Sequence, residues 1–258
     1  MATSDNDMKT NMKKIAIIGS GHMGTALLEG FVKSRIAKSR IAMSDGPKTN
    51  VRVAASADVI FLAVKPGVVN DVLSEIKQVS HGKLIVSLAA GVTIASMKKS
   101  TSAHVARMMP NIPVAVNEGA IGIFAGGLPA SEKKALRALL DKLGIVIEVK
   151  KESDLDTLTL IAGCGPGIVA YLVATLAGEA NKLGLTSFES EMLAFQTFKG
   201  TLAYMEKTKT PAETMMRSVA TKGGVTEAIL ARLTKEGARK AFARAIGEGG
   251  SRLRKIKK

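Results

Sequence analysis

From Lys14 to about Lys151, short apolar runs alternate with stretches whose apolar residues recur at helical spacing. The runs Lys14–Ile18, Arg40–Ser44, Val59–Val64, Leu84–Ser87, His104–Met108, Gly119–Phe124 and Val146–Val149 predict strands. Thr25–Ile36, Val68–Val79, Ser96–Lys99 and Ser131–Leu143 predict the helices between them. Strands taken in turn with helices form a mainly parallel, doubly wound α/β sheet. One place departs from the rhythm. Only the twelve residues from Gly46 to Ala57 separate the second strand from the next long one. They can hold a turn and a stub of strand, but hardly a full helix and strand. A sheet trimmed at this edge is expected.

After Lys151 the period changes to helices only. Pro166 suits a first helical position. Behind it Ile168, Leu172 and Leu176, beside Val169, Val173 and Ala177, form a wide apolar face. Thr186 and Glu189 have the spacing of a capping box, and Phe188, Met192, Phe195 and Leu202 line the helix that follows. Thr210, Pro211 and Glu213 signal another helix start. These faces exceed what a bundle of about a hundred residues covers alone, which predicts a homodimer or a higher homo-oligomer. The chain therefore divides into an extension over 1–12, expected to be disordered, an α/β domain over 13–151, and an all-helical dimerisation domain over 152–258.

Thr157–Gly178 carries no charge over 22 residues, long enough for a bilayer. Gly163-Cys164-Gly165-Pro166-Gly167 is expected to break it, leaving a core or interface helix and no membrane span. Met1–Thr10 is polar and lacks an apolar signal region, so a cytoplasmic protein is expected. The 258 residues suit one large or two smaller domains. The single cysteine, Cys164, excludes an intrachain disulfide. A net charge of +15 attracts anions without specifying them. It includes a terminal cluster of Arg252, Arg254, Lys255, Lys257 and Lys258. Aromatic residues make up 3% of the chain and Trp is absent, which argues against base stacking, and no motif supports a nucleic-acid partner. No Cys/His spacing fits a metal site.

The most informative chemistry lies where the first strand meets the first helix. Gly19-Ser20-Gly21-His22-Met23-Gly24 is a G-x-G-x-x-G turn in strand–turn–helix context. In such a turn Gly19 makes the tight bend, Gly21 lets a pyrophosphate approach, and Gly24 lets the helix close on its strand. The helix start then directs free N–H groups at the phosphates. Asp45, about twenty residues beyond Gly24, could hold a ribose diol and favour NADH. Ser44, Lys48 and Thr49 could hold a 2′-phosphate, and with the positive field they favour NADPH, with NADH possible.

Four further stretches read with this turn as a set: Ala63-Val64-Lys65-Pro66, Arg107-Met108-Met109-Pro110-Asn111-Ile112-Pro113, Gly163-Cys164-Gly165-Pro166, and Thr221-Lys222-Gly223-Gly224-Val225-Thr226. Their order and spacing resemble pyrroline-5-carboxylate reductases, from about Lys13 to about Arg254. The resemblance implies a Rossmann-like domain, a helical domain that dimerises, and active sites between the two. It implies reduction of 1-pyrroline-5-carboxylate to L-proline, the last step of proline biosynthesis, with NADPH or NADH and no metal. Gly19–Gly24 match the family's pyrophosphate turn, and Ala63, Val64, Lys65 and Pro66 its ribose loop. Ala90 matches the nicotinamide side, and Pro110 and Asn111 the loop at the domain junction. Gly223, Gly224, Val225 and Thr226 match the substrate loop, whose threonine contacts the pyrroline ring.

The chain departs from the family in its short Asp45–Asp58 spacer and in Cys164, where serine is common. It also departs in Thr221-Lys222, where Ser-Pro is usual, and in His22, where Asn is frequent.

Gly223–Thr226 precede the helical run Glu227–Leu230, so their N–H groups are expected to hold the substrate carboxylate. Thr226 then donates to the imine nitrogen or orders a water there; alternatively it only caps its helix. No strong general acid stands out, since an imine nitrogen takes a proton from water.

Two other readings share this plan. A hydroxyacid dehydrogenase of the 6-phosphogluconate type would need a lysine on the first long helix of the second domain, and Thr157–Asn181 contains none. A non-catalytic NADP-binding regulator would bind cofactor without turnover.

Overall fold

The computed structural model describes residues 14–256, so the 1–12 extension and the last two lysines lie outside the described residues. Seven strands form one sheet: β1 (Ile15–Ile18), β2 (Ile41–Ser44), β3 (Val59–Leu62), β4 (Leu84–Ser87), β5 (His104–Met109), β6 (Gly119–Phe124) and β7 (Gly144–Glu148). Their order is β2-β1-β3-β4-β5-β6-β7. All neighbours are parallel except β6, which runs antiparallel to β5.

The central strands are apolar at every position because both sheet faces are covered. Their period of two assigns alternate residues to different cores. Ile15, Ile17, Phe61, Val86 and Met108 pack with Leu27 and Phe31 of α1 (His22–Lys33) and Leu136 and Leu140 of the later helix Ala130–Leu140. Ala16, Ile18, Ile60, Leu62 and Ile85 face α2 (Pro47–Ala55), α3 (Val69–Glu75) and α4 (Ile94–Met97) instead. The helix Ala130–Leu140 is α5.

The trimmed edge is present, since β2 ends the sheet. Its connection differs from expectation: the spacer holds a nine-residue helix and no stub of strand. Pro47 occupies the first helical turn, where its missing N–H costs nothing. Asn50, Val53 and Ala54 form its buried side. At its far end Lys83 Nζ donates to the carbonyls of Ala54 (2.8 Å) and Ala55 (2.7 Å). Burial lowers the Lys83 pKa from the ordinary lysine value, against the attraction of Asp58. One short helix thus covers the sheet where a longer crossover was expected.

The helical part comprises α6 (Leu155–Leu158), α7 (Gly165–Lys182), α8 (Ser187–Thr208), α9 (Ala212–Val219), α10 (Val225–Lys235) and α11 (Ala238–Ile256). The glycine-rich run does not break the chain direction as expected. A π-helical turn, Thr159–Gly163, joins α6 to α7, and Cys164 keeps helical dihedrals. Glu152–Lys182 is consequently one helical stretch of 31 residues, long and apolar enough by length and composition to cross a membrane, with 6% of its most apolar window buried.

The compact units also divide later than the change of sequence period. Among the described residues, those up to Pro166, with the segment from Gly250 onward, form the first unit, and Gly167–Gly249 the second. The reason is α6: its Leu158 packs against Gly122 of β6, so the first turns after residue 152 belong to the sheet. In the second unit Thr186 and Glu189 form the expected capping box. Thr210, by contrast, bonds the Thr208 hydroxyl at 2.7 Å, and Pro211 takes the cap position of α9.

Candidate active site

The parallel strands β1 to β5 end at one edge of the sheet, so the loops that follow them share that edge. The strand order reverses between β2-β1 and β3, which opens a crevice beside the end of β1. The glycine turn occupies this position. Gly19 has φ +109°, a conformation that side chains resist, and a Cβ there would stand 2.5 Å from the Ala63 carbonyl oxygen. The sequence-predicted loop Ala63–Pro66 therefore lies directly against the turn. Gly21 is the N-cap of α1, and a Cβ on it would meet nothing within 4 Å. Helix α1 begins at His22, three residues earlier than the periodicity indicated, so His22, Met23 and Gly24 form its first turn. Their N–H groups have no intrahelical acceptor, and Gly21 just ahead of them borders open space. This donor set fits a pyrophosphate. His22 and Ser20 are exposed and Met23 half-buried.

At the end of β2 the candidates separate. Lys48 is exposed in the first turn of α2 and Asp45 is exposed just before it. Ser44 is fully buried. Its hydroxyl bonds the Asn50 side chain, the Thr49 hydroxyl (2.8 Å) and the Gly46 carbonyl (3.1 Å). Asn50 in turn donates to Glu75 at 2.8 Å. Ser44 was expected among the cofactor contacts; its hydroxyl is spent inside the protein, where it shapes the turn that presents Lys48. Thr49 is likewise committed, to Ser44, the Gly46 carbonyl and, at 3.2 Å, Asp45.

After β4, Ala90 is half-buried in the loop ahead of α4. After β5, Pro110 and Asn111 are buried. The Asn111 amide accepts from the Ala120 N–H (2.9 Å) and donates to the Ala162 carbonyl (3.2 Å). Its side chain braces β6 and the π-helical turn, so its part in the site is support of this loop.

In the second unit, Gly224 is the N-cap of α10 and Thr226 is its second helical residue. Thr226 therefore does not cap the helix, and its half-buried hydroxyl has no partner among the described residues. The four expected donors are not equivalent. The Gly223 N–H is held by the Glu227 carboxylate at 2.7 Å, and the Gly224 N–H by the Thr221 carbonyl at 2.9 Å. Val225 and Thr226 lie in the first turn of α10, where N–H groups lack helical acceptors. Sequence reasoning missed Glu227. A glutamate three residues after the cap, the spacing already used for Thr186 and Glu189, was the available signal.

It also assigned no role to Arg107 or Glu152. Arg107 is 3% exposed on β5, and its Nη1 donates to Glu152 Oε1 at 2.9 Å. A buried arginine in an apolar strand run was the available signal.

These features define a Rossmann-like nucleotide-binding unit joined to a separate helical unit. Residues 14–91 match a family model described as NADP oxidoreductase, coenzyme F420-dependent. Residues 152–256 match the pyrroline-5-carboxylate reductase dimerisation model. A pyrroline-5-carboxylate reductase of Corynebacterium melassecola is 33% identical, over 91% of this chain and 95% of its own. Pyrroline-5-carboxylate reductase 3 of Danio rerio is also 33% identical, over 94% of this chain and 91% of its own. The chain belongs to the pyrroline-5-carboxylate reductase family. Among solved structures, the Plasmodium falciparum pyrroline carboxylate reductase with NADP bound superposes with a TM-score of 0.87 at 27% identity, covering 96% of this chain and 99% of that one. The Coxiella burnetii enzyme gives 0.86 at 28% identity, covering 96% and 100%.

Proposed function

We propose that this protein reduces 1-pyrroline-5-carboxylate to L-proline with NADPH, as a cytoplasmic homodimer. The observation that carries the reading is one chain holding both an open, donor-lined glycine turn and a helical segment matched by the dimerisation model of this family. The bound reduced nicotinamide supplies the hydride.

The residues of the first unit position the cofactor. Gly19–Gly24 receive the pyrophosphate on the first turn of α1, whose dipole favours the negative charge. Lys48 meets the 2′-phosphate, and Ala63–Pro66 pass the ribose. Ala90 stands at the nicotinamide side, and Pro110 and Asn111 fix the loop after β5.

In the second unit, the free N–H groups of Val225 and Thr226 hold the substrate carboxylate without a charged side chain. Glu227 holds Gly223 and so sets the entry to α10. The unpaired Thr226 hydroxyl donates to the imine nitrogen or to a water beside it, and the proton that nitrogen finally carries comes from solvent. Most of the rate gain then comes from orientation.

The homodimer is supported by burial. Of Gly167–Gly249, only Ala177, Ser190 and Ala194 are buried within the described chain. Tyr171 (68% exposed), Leu183 (86%) and Phe188 (71%) stand open, and a second copy covers them. The same cover accounts for the apolar stretch through Lys182.

The test is NADPH oxidation with pyrroline-5-carboxylate as acceptor. Wild type turns over. Thr226→Ala loses about 10–100-fold in kcat/KM, the cost of one unmade hydrogen bond, with NADPH binding unchanged. Tight NADPH binding by wild type with no turnover would instead mark a non-catalytic regulator.

A further inference from the structure

Buried Arg107 and half-buried Glu152 form an ion pair that ties down both ends of one loop. Arg107 Nη2 reaches the Ala89 carbonyl at 3.4 Å, and its Nη1 donates to Glu152 Oε1. The same Oε1 accepts the Ile94 N–H at 2.8 Å, the first N–H of α4. Ala89 and Ile94 bracket the loop that carries Ala90. One carboxylate oxygen and one guanidinium therefore set the height of Ala90 above the end of β4.

The pair is poorly suited to stability alone. Arg107 Nε is buried with no hydrogen-bond partner, and its contact to Ala89 is long. An ion pair taken out of water is often matched or surpassed in stability when apolar side chains of similar size replace both partners. The fork geometry of arginine is what reaches the carbonyl and the carboxylate together, and a single ammonium cannot copy it. Glu152 also opens the segment matched by the dimerisation model, so the loop is anchored to the start of that segment.

We infer that Arg107 and Glu152 are positioning residues for hydride transfer, holding the Ala89–Ile94 loop so that the nicotinamide is presented at the right distance. The inference rests on the proposed placement of the nicotinamide beside Ala90. Neither side chain needs to touch substrate or cofactor; they act through the loop. Misplacement of about 1 Å in such a support costs on the order of 100-fold in rate.

The experiment compares wild type, Arg107→Met, Arg107→Lys and Glu152→Gln. Expected for Arg107→Met is a kcat lowered about tenfold or more, with NADPH KM within about threefold and a melting temperature lowered by the loss of the Glu152 partner but still above the assay temperature. The primary isotope effect with 4-deuterated NADPH rises, because hydride transfer becomes more limiting. Arg107→Lys does not restore the rate. Glu152→Gln keeps an acceptor for Ile94 and lowers kcat less. If Arg107→Met does not fold, Glu152→Gln carries the test by a smaller fall in kcat, about threefold or more, together with a raised isotope effect. Amide hydrogen exchange, measured without substrate, speeds at Ala89–Ile94 in each variant while β1 and β3 stay protected. A folded variant with wild-type kcat, full rescue by Arg107→Lys, or unchanged exchange in that loop would overturn the inference. A wild type that never turns over pyrroline-5-carboxylate would sink the proposed function, while the exchange arm would still report whether the pair holds the loop.

Discussion

The carbonyl oxygen of Gly19 occupies the position that a Cβ on Gly24 would need. The glycine turn and the first turn of α1 are packed backbone to backbone. By contrast, a Cβ on Gly21 meets open space. Gly24 is required by the protein's own packing, whereas Gly21 is free of it and is proposed to be required by the cofactor. Gly24→Ala should therefore lower stability by about 1–3 kcal/mol, as overpacking does, and disturb the cofactor site with it. Gly21→Ala should leave the melting temperature alone and raise the NADPH KM by about tenfold, or ~1.4 kcal/mol of binding. Thermal melts with cofactor titrations check both. Equal destabilisation by the two variants would count against this division of roles.

Lys48 and Asp45 stand exposed at the start of α2 with opposite preferences for a ribose carrying a phosphate. With Ser44 withdrawn into the protein, Lys48 is the charged candidate left for NADPH. Lys48→Ala should raise the NADPH KM about 3–10-fold, an exposed charge contact of roughly 1 kcal/mol, with little change for NADH. An unchanged NADPH-to-NADH ratio would remove Lys48 from this role.

The capping box of α8 is pH-sensitive in a defined direction. Hydrogen bonds from the Thr186 hydroxyl and N–H hold the Glu189 carboxyl below the ordinary value of 4.5. A carboxylate depressed in the folded state contributes fully above its unfolded pKa and loses that contribution as pH falls through the folded one. Protection factors at the α8 N-terminus, taken against the intrinsic exchange rate at each pH, should thus fall only as acid takes the pH below 4.5. Glu189→Gln should show lower protection already at neutral pH and no such transition. Wild-type protection constant through the acid range would contradict the assignment.

The open apolar face of the helical unit predicts its assembly. Phe188→Asp places a charge where 71% of a phenylalanine is uncovered in the single chain. Sedimentation should show a dimer or larger assembly for wild type and dissociation for the variant, since a buried unpaired carboxylate is costly. A wild-type monomer at micromolar concentration would leave the face without its proposed cover.

Much of this was legible in the chain. Ile15–Ile18 feeding Gly19–Gly24 signalled a strand, a tight turn and a helix start, because the bend at Gly19 and the close packing at Gly24 each demand glycine at a particular offset. The seven strands were readable because their apolar runs are short and separated by turns. The helix Pro47–Ala55 was not, because its buried side is only Asn50, Val53 and Ala54, too weak a period to stand out. Ser44 misled for a related reason. A serine at a strand end looks the same in sequence whether its hydroxyl meets a phosphate or, as here, a neighbouring asparagine.

The sequence by itself determined the alternation of strands and helices, the glycine offsets and the family, since these depend on residues near one another in the chain. Tertiary structure alone decided which polar groups remain available. It buried Ser44, engaged Gly223 with Glu227, left the Thr226 hydroxyl without a partner among the described residues, and joined Arg107 to Glu152 across 45 positions. A hydrogen bond has a direction and a length of about 3 Å, and no local pattern records which distant group will satisfy it.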